Sequence, residues 1–167
     1  HGGKSHTDEI IATALILGAF RGLEFPVYRK NPSAAELDDP NVWVVDIGGR
    51  HEPLLSNFDH HQLPQNMGEA NCAYSLVCKL FGIDEYMRKY YKWYTEWMII
   101  DHLGPFTWAA YTGLTWDTVS GLLNPVAELV HDEFESFSGE EEMPYSLKQR
   151  LQSLGLKLIT ESVGFAK

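Results

Sequence analysis

The sequence predicts an α/β domain in which a parallel sheet is flanked by helices and is followed by a helical C-terminal portion. Residues 41–49 form an apolar run of the kind found in strands that are buried on both faces of a parallel sheet. A Gly-rich loop at residues 1–9 runs directly into an apolar helix. Strand and helix patterns alternate in the first half of the chain, and only helical patterns occur in the second half, which is typical of this fold class.

The elements of the first half follow from local signals. The first predicted helix is apolar on most sides and ends at residues 18–22, where two glycines occur. Residues 25–29 predict a short strand. Residues 31–40 carry Pro, Ser and Asp, and they predict a connection with one helical turn. The strongest strand pattern, at residues 41–49, stops at Asp46 and a Gly-Gly turn.

The rest of the chain predicts helices. Residues 50–56 favour a turn or a short hairpin, and residues 70–81 favour a helix with one apolar face. Residues 84–103 predict one long helix with an aromatic-rich face, which we expect to be core rather than a base-stacking surface. Two further helices are predicted at residues 120–137 and 145–163.

The length of the chain favours a single domain. A chain of 167 residues is most simply one domain covering residues 1–167, and chains of this size bury about two thirds of their surface on folding. The numbering begins at His1, inside a Gly-rich turn whose natural partner is a strand directly upstream. We therefore expect an N-terminal strand to be missing from this numbering.

Composition restricts the class of ligand and the compartment. The chain carries 13 Lys and Arg against 23 Asp and Glu, a formal net charge of −10, which disfavours the binding of extended duplex nucleic acid. No apolar run of about 18 residues and no secretory leader pattern occurs, so we expect neither a membrane span nor export. Cys72 and Cys78 are badly placed for a mutual disulfide, and we expect buried thiols and a cytoplasmic location.

Four stretches carry metal-ligand side chains; three of them lie at the ends of predicted strands or helices, and the Asp-His-His stretch follows the connection after the strongest strand pattern. They contribute His1, His6 and Asp8; Asp46; Asp59, His60 and His61; and Asp101. The carboxyl ends of parallel strands meet at one crevice, so we expect these stretches to converge. Imidazole and carboxylate groups without thiolates suit Mn²⁺ best, with Mg²⁺, Fe²⁺ or Zn²⁺ as alternatives. The set is larger than one ion needs, which favours a pair of ions that share a carboxylate.

Each stretch alone also has an ordinary structural explanation. Asp46 before two glycines suits a turn, and Asp8 suits the first turn of a helix. His102 competes with its neighbour Asp101 as a ligand. His51 and His131 have no motif around them, so we expect a solvated or locally hydrogen-bonded role for both.

Taken together, the stretches resemble a known superfamily. The motifs His1-x4-His6-x-Asp8-Glu9, Tyr28-Arg29 before an Asn-Pro turn, Val44 to Gly49, and Phe58-Asp59-His60-His61-Gln62 occur in this order. They are similar to the DHH phosphoesterase superfamily, in particular to its Myg-type branch of metal-dependent nucleases. The resemblance covers roughly residues 1–104. It implies a DHH phosphoesterase-like fold with a dinuclear, usually manganese, centre that hydrolyses phosphoester or phosphoanhydride bonds.

The resemblance also implies the metal ligands. One ion would be held by His1, His6 and Asp46, and the other by Asp8, Asp46, His60 and Asp101. Asp46 would bridge the two ions.

Further roles fall to residues beside these ligands. The resemblance implies that His61 faces the substrate phosphate as donor or acid and that Asp59 orients its neighbours. Lys4 and Arg50 flank the ligands and are expected to stabilise phosphate charge, with Arg29 as a weaker third.

The functional expectation is a divalent-metal-dependent phosphoesterase that acts on a nucleotide, a short oligonucleotide or a small phosphorylated compound. Members of the superfamily usually carry a second domain that closes over the metal centre, whereas the residues after Asp101 predict only helices. We therefore expect no separate C-terminal lid domain, and a homodimer in which a second subunit covers the exposed face. The alternative is a non-catalytic metal-binding or interaction module that retains the site. A mononuclear zinc hydrolase acting on a C–N bond is disfavoured, because the ligand set is too rich in carboxylates.

Overall fold

Helices make up most of the structure. The computed structural model describes residues 3–65, 70–115, 118 and 125–164. Its helices within these ranges are α1 (Thr7–Ala19), α2 (Ala34–Leu37), α3 (Ala73–Leu80), α4 (Asp84–Tyr90), α5 (Lys92–Leu103), α6 (Pro105–Thr112), α7 (Pro125–Glu135) and α8 (Tyr145–Gly164), with a 3-10 turn at Pro53–Leu55. Part of the helix predicted at residues 120–137 lies outside the described residues. None of the described helices has the length and apolar character that a bilayer crossing requires.

A small mixed sheet accompanies these helices. Its strands are β1 (Val44–Val45), β2 (His51–Glu52) and β3 (Asn57–Phe58), in the order β1-β3-β2. β1 pairs with β3 in parallel, and β2 pairs with β3 antiparallel. The α/β prediction is therefore confirmed at the level of class, but an entirely parallel sheet is wrong for the described residues. The antiparallel pair forms because the 3-10 turn at Pro53–Leu55 and Ser56, whose φ is 58°, reverse the chain between β2 and β3.

The strand predicted at residues 25–29 does not join this sheet. Tyr28 forms an isolated antiparallel bridge with Glu142, and the carbonyl of Val27 accepts a hydrogen bond of 2.8 Å from the backbone N–H of Met143. A cavity of about 470 Å³ is lined by this segment, by residues 40–45 and by α1. The extended conformation was predictable from the local sequence, but its pairing with a loop more than a hundred residues away was not.

The long helix predicted at residues 84–103 is broken. α4 ends at Tyr90 and α5 begins at Lys92, because Tyr91 has an extended backbone with φ −110° and ψ 100°. The Tyr91 hydroxyl donates a hydrogen bond to Glu161 of α8, and the Tyr94 hydroxyl donates to Asp84 at 2.5 Å. Tertiary contacts of the aromatic side chains thus outweigh the continuous helical pattern.

α1 is the central element of the core, since every residue from Asp8 to Gly18 is buried. It packs against α3 and α5 in one apolar cluster and against α7 and α8 in another. At its crossing with α8 the two backbones touch: a Cβ added at Gly155 would lie 1.7 Å from the carbonyl oxygen of Ala14, and one added at Gly18 would lie 2.3 Å from the backbone nitrogen of Leu156. Only glycine fits at either position.

Candidate metal centre

Four elements bring one acidic or imidazole side chain each to the same place. Asp8 lies in the first turn of α1, Asp46 directly follows β1, His60 follows β3, and Asp101 lies in the last turn of α5. The parallel pairing of β1 with β3 places two of them side by side, because the backbone N–H of Asp46 donates to the carbonyl of Phe58 at 3.1 Å.

We call Asp8, Asp46, His60 and Asp101 the acidic cluster. Each of these residues offers a ligand atom, and the four atoms lie within 4.8 Å of one another. The Nε2 atom of His60 is 2.9 Å from Asp101 Oδ2, 3.2 Å from Asp46 Oδ1 and 3.7 Å from Asp8 Oδ2. Three carboxylates therefore surround one imidazole nitrogen.

The electrostatics of the acidic cluster favour a cation. Burial raises the pKa of Asp8 well above its ordinary value, and the nearby carboxylates of Asp101 and Asp46 raise it further. Burial would lower the pKa of His60, but hydrogen bonds to Asp101 and Asp46 outweigh this effect and raise that pKa to about 10. The protein thus retains protons at this site unless another positive charge replaces them.

The residues fit a divalent metal ion. Asp8 Oδ2 accepts a hydrogen bond of 3.1 Å from the backbone N–H of Ala73, whereas Asp8 Oδ1 is buried without a hydrogen-bond partner among the described residues. A buried carboxylate oxygen in this condition is costly unless a ligand binds it. One imidazole and three carboxylates form a mixed nitrogen and oxygen donor set of the kind that Mn²⁺ and related divalent ions accept.

Asp46 is held in an uncommon backbone conformation. Its φ of 61° lies in the left-handed region, and the glycines at positions 48 and 49 also have positive φ. Asp tolerates this region better than most residues do, at a cost of about 1 kcal/mol. The sharp turn ends β1 and keeps the Asp46 carboxylate within reach of His60.

His61 lies at the exposed side of the acidic cluster. Its side chain is 57% exposed, and its Nδ1 atom is 3.9 Å from Asp46 Oδ1 and 2.6 Å from Asp59 Oδ1. Asp59 also accepts hydrogen bonds from the backbone N–H groups of His61 at 3.0 Å and Gly49 at 2.7 Å. Burial opposes ionisation of Asp59, but these hydrogen bonds prevail and lower its pKa. An ionised Asp59 fixes the orientation of the His61 ring.

The first loop approaches the cluster through His6. The His6 side chain is 53% exposed, and its Nδ1 atom is 3.9 Å from Asp101 Oδ1. His6 is also the N-cap residue of α1, and its backbone N–H donates to Glu9 Oε1 at 3.1 Å. Lys4 is exposed in the same loop. His1, the other predicted ligand from this loop, lies outside the described residues.

The two predicted arginines have acidic partners away from the acidic cluster. Arg50 pairs with Asp38, with 2.6 Å between Nη1 and Oδ1. Arg29 is buried, lies 3.6 Å from Glu9 Oε1, and donates a hydrogen bond of 2.8 Å to the carbonyl of Gly3. Arg29 therefore supports the first loop in this structure.

Of the two adjacent candidates at the end of α5, Asp101 is the one that joins the acidic cluster. His102 is buried, and its Nε2 atom lies 3.0 Å from the carbonyl of Pro64.

A polar network around Ser5 was not expected from the sequence. The Ser5 hydroxyl lies 2.7 Å from Nδ1 of His131 and 3.1 Å from Glu135 Oε1. Both partners belong to α7. No local motif joins residues that are 126 and 130 positions apart in the chain, so only the three-dimensional fold reveals this network.

Comparisons with known proteins point in one direction. A family model named MYG1_exonuc, described as an uncharacterised protein family (UPF0160), matches residues 1–96. Two curated relatives are similar over 64 residues: MYG1 exonuclease of Rattus norvegicus at 39% identity and MYG1 exonuclease of Homo sapiens at 38% identity. Each match covers 37% of this chain and 16% of the relative, so only a small part of either relative is represented here. No solved structure matches this chain.

Proposed function

Because the chain belongs to the MYG1_exonuc family (UPF0160), whose model matches residues 1–96, we propose that it is a divalent-metal-dependent phosphoesterase with a dinuclear centre. The observation that carries this proposal is the acidic cluster, in which three carboxylates and one imidazole offer ligand atoms within 4.8 Å of one another. A buried group in which three carboxylates face one imidazole serves metal binding better than it serves stability.

In this proposal the acidic cluster holds one ion, and His6, His1 and Asp46 hold the other. Two such ions, when bound, lower the pKa of a coordinated water and clamp a phosphoryl group. The natural metal is Mn²⁺, with Mg²⁺, Fe²⁺ and Zn²⁺ as alternatives. The shared carboxylate of Asp46 is supported by its short distance to His60 and by its approach to His61.

The remaining roles fall to residues at the exposed side. His61 acts on the substrate phosphate as a proton donor, and Asp59 holds its Nδ1 atom so that the ring keeps one orientation. Lys4 is exposed and has no ion pair with any other described residue, so it can turn toward an anionic substrate. Arg50 stabilises phosphate charge only after exchanging its contact with Asp38.

The substrate class follows from the relatives and from the charge. The two curated relatives are named exonucleases, which favours a phosphodiester of nucleic acid as the substrate. A net charge of −10 disfavours an extended duplex, so we propose short oligonucleotides, with mononucleotides or small phosphorylated compounds as further substrates. A second copy of the chain would cover the exposed face around His61 in a homodimer.

The test is hydrolysis by the purified protein with Mn²⁺. Three substrates are compared: bis(p-nitrophenyl) phosphate, oligonucleotides of about five nucleotides, and pyrophosphate. Asp46→Asn is expected to lower the rate of hydrolysis by about 100-fold or more, because the shared ligand loses its charge. Asp132→Asn changes an exposed aspartate of α7 and serves as the matched control.

Two outcomes contradict the proposal. One is that none of the three substrates is hydrolysed, and the other is that wild type and Asp46→Asn hydrolyse them at equal rates. A protein that binds stoichiometric Mn²⁺ but hydrolyses none of the substrates would instead support the alternative, a non-catalytic metal-binding module.

A further inference from the structure

The imidazole of His131, on α7, contacts the first loop at two hydroxyl groups, one on each side of His6. His131 lies 2.7 Å through Nδ1 from the Ser5 hydroxyl and 3.3 Å through Nε2 from the Thr7 hydroxyl. His6 is the residue between these two contacts. A side chain that forms hydrogen bonds to both neighbours of a residue restrains the backbone of that residue, and so fixes the position of its Cα and Cβ atoms.

One assignment of hydrogens satisfies both ring contacts of His131 and the shorter of the two acceptor contacts of Ser5 Oγ; the longer one, to the His131 carbonyl, is 3.4 Å. His131 donates from Nδ1 to Ser5 Oγ, and Ser5 donates from Oγ to Glu135 Oε1 at 3.1 Å. Thr7 donates from its hydroxyl to Nε2 of His131. Glu135 Oε1 also accepts from the backbone N–H of Ser5 at 2.6 Å. These hydrogen bonds from Ser5 lower the pKa of Glu135, which keeps this acceptor charged.

A second set of contacts holds the loop from the family-matched part of the chain. Arg29 donates to the carbonyl of Gly3 at 2.8 Å, and Glu9 accepts from the backbone N–H of His6 at 3.1 Å. Arg29 and Glu9 are themselves a buried pair, 3.6 Å apart. The loop is thus fixed by a pair from residues 1–96 and by a pair from α7, which lies beyond the residues that the family model matches.

We propose that His131 and Glu135 are positioning residues for metal binding, because they fix the loop that aims His6 at Asp101 and the acidic cluster. The inference rests on the proposed function, in which His6 is a metal ligand. It assigns α7 a part in the metal centre that neither the family match nor the sequence motifs indicate. The Nδ1 atom of His6 is 3.9 Å from Asp101 Oδ1, a distance that depends on where the loop is held.

The experiment measures the dissociation constant for Mn²⁺ by calorimetric titration of the full chain. His131→Ala removes both contacts of the imidazole, and we expect about 10-fold weaker Mn²⁺ binding, the usual effect of losing a group that orients a ligand. His131→Asn is expected to recover most of this loss, because its amide nitrogen can take the place of Nδ1 and donate to Ser5. Glu133→Gln, on the same helix, alters a contact with Arg150 and should leave the constant unchanged.

A double-mutant cycle separates positioning from general destabilisation. If His131 acts through His6, then His131→Ala should weaken Mn²⁺ binding in the wild-type background and have no further effect in a His6→Ala background. Thermal unfolding of the metal-free variants shows whether each one is folded before its affinity is compared.

The results distinguish this inference from the proposed function. The inference is overturned if His131→Ala binds Mn²⁺ within twofold of wild type, or if it weakens binding equally in both backgrounds. Mn²⁺ binding that depends on His131 and His6 but supports no hydrolysis would uphold the inference and reject the phosphoesterase. A wild-type protein that binds no Mn²⁺ would reject both.

Discussion

The residues within the family match and those beyond it contribute differently to the candidate metal centre. Residues 1–96 supply Asp8 at the start of α1, Asp46 directly after β1 and His60 two residues after β3. Beyond residue 96 the chain supplies Asp101, the contacts of α7 to the first loop, and α8, which packs on α1. The motif-bearing part therefore contains most of the candidate ligands, while the later helices add Asp101 and contact the elements that carry the others. A set of motifs that is recognisable in sequence need not be a self-sufficient site in space.

The largest test of this comparison is at the crossing of α1 and α8. Gly155→Ala is expected to lower the free energy of unfolding by about 3 kcal/mol, because the new Cβ would lie 1.7 Å from the carbonyl oxygen of Ala14. Gly164→Ala is the matched control on the same helix, where a Cβ meets nothing within 4 Å, and it should change stability by less than about 1 kcal/mol. Urea unfolding monitored by circular dichroism measures both. Equal stability of the two variants would mean that α8 is dispensable to the fold of α1.

The next test compares one candidate ligand from each region. Asp101→Asn and Asp46→Asn each remove the charge of one carboxylate of the acidic cluster, and each is expected to weaken Mn²⁺ binding by about 100-fold, or about 2.8 kcal/mol. Equilibrium dialysis with metal analysis measures the two constants side by side. If only the Asp46 variant loses affinity, the part of the chain beyond residue 96 supplies no ligand and the comparison fails.

The smallest effect concerns pH. The pKa of His60 is raised to about 10 from an ordinary value of 6.5, so its protonated form stabilises the metal-free fold below pH 6.5. That contribution is lost as the pH rises through about 10, and we expect a decrease on the order of 2 kcal/mol. Melting temperatures of the metal-free protein from pH 6.5 to 10 measure it. His60→Gln should show a flatter profile, and a decrease as steep as that of wild type would assign the pH dependence to other groups.

Much of the site could be anticipated from local sequence, and the reason is physical. The sequence predicts Asp46 at the end of a strand, whereas it does not predict β3, the strand before His60; the parallel pairing of β1 with β3 is what brings Asp46 and His60 together. The helix pattern across residues 84–103 also held except at Tyr91. The local pattern could not predict the break at Tyr91, because the side chain of Tyr91 bonds to Glu161, which is 70 positions later in the chain.

The same limit applies to the contacts around the first loop. The hydrogen bond between Ser5 and His131 and the bridge between Tyr28 and Glu142 join segments that are more than a hundred residues apart in the chain. A lone histidine such as His131 is more often a solvated or locally bonded residue, and nothing in its own neighbourhood distinguishes it. Such residues can be identified only once the fold has brought their partners together.

The glycine crossing of α1 and α8 also bears on the order in which the protein forms. α1 is apolar on almost every side, and the carbonyl of Leu17 accepts a hydrogen bond from the side chain of Gln152, 135 positions later in the chain. During synthesis α1 leaves the ribosome long before α8 exists, so one apolar side of it stays exposed to water until α8 has been made. The candidate metal centre, which begins at the first turn of α1, would therefore mature late, and premature metal binding by a nascent chain would meet an incompletely held site.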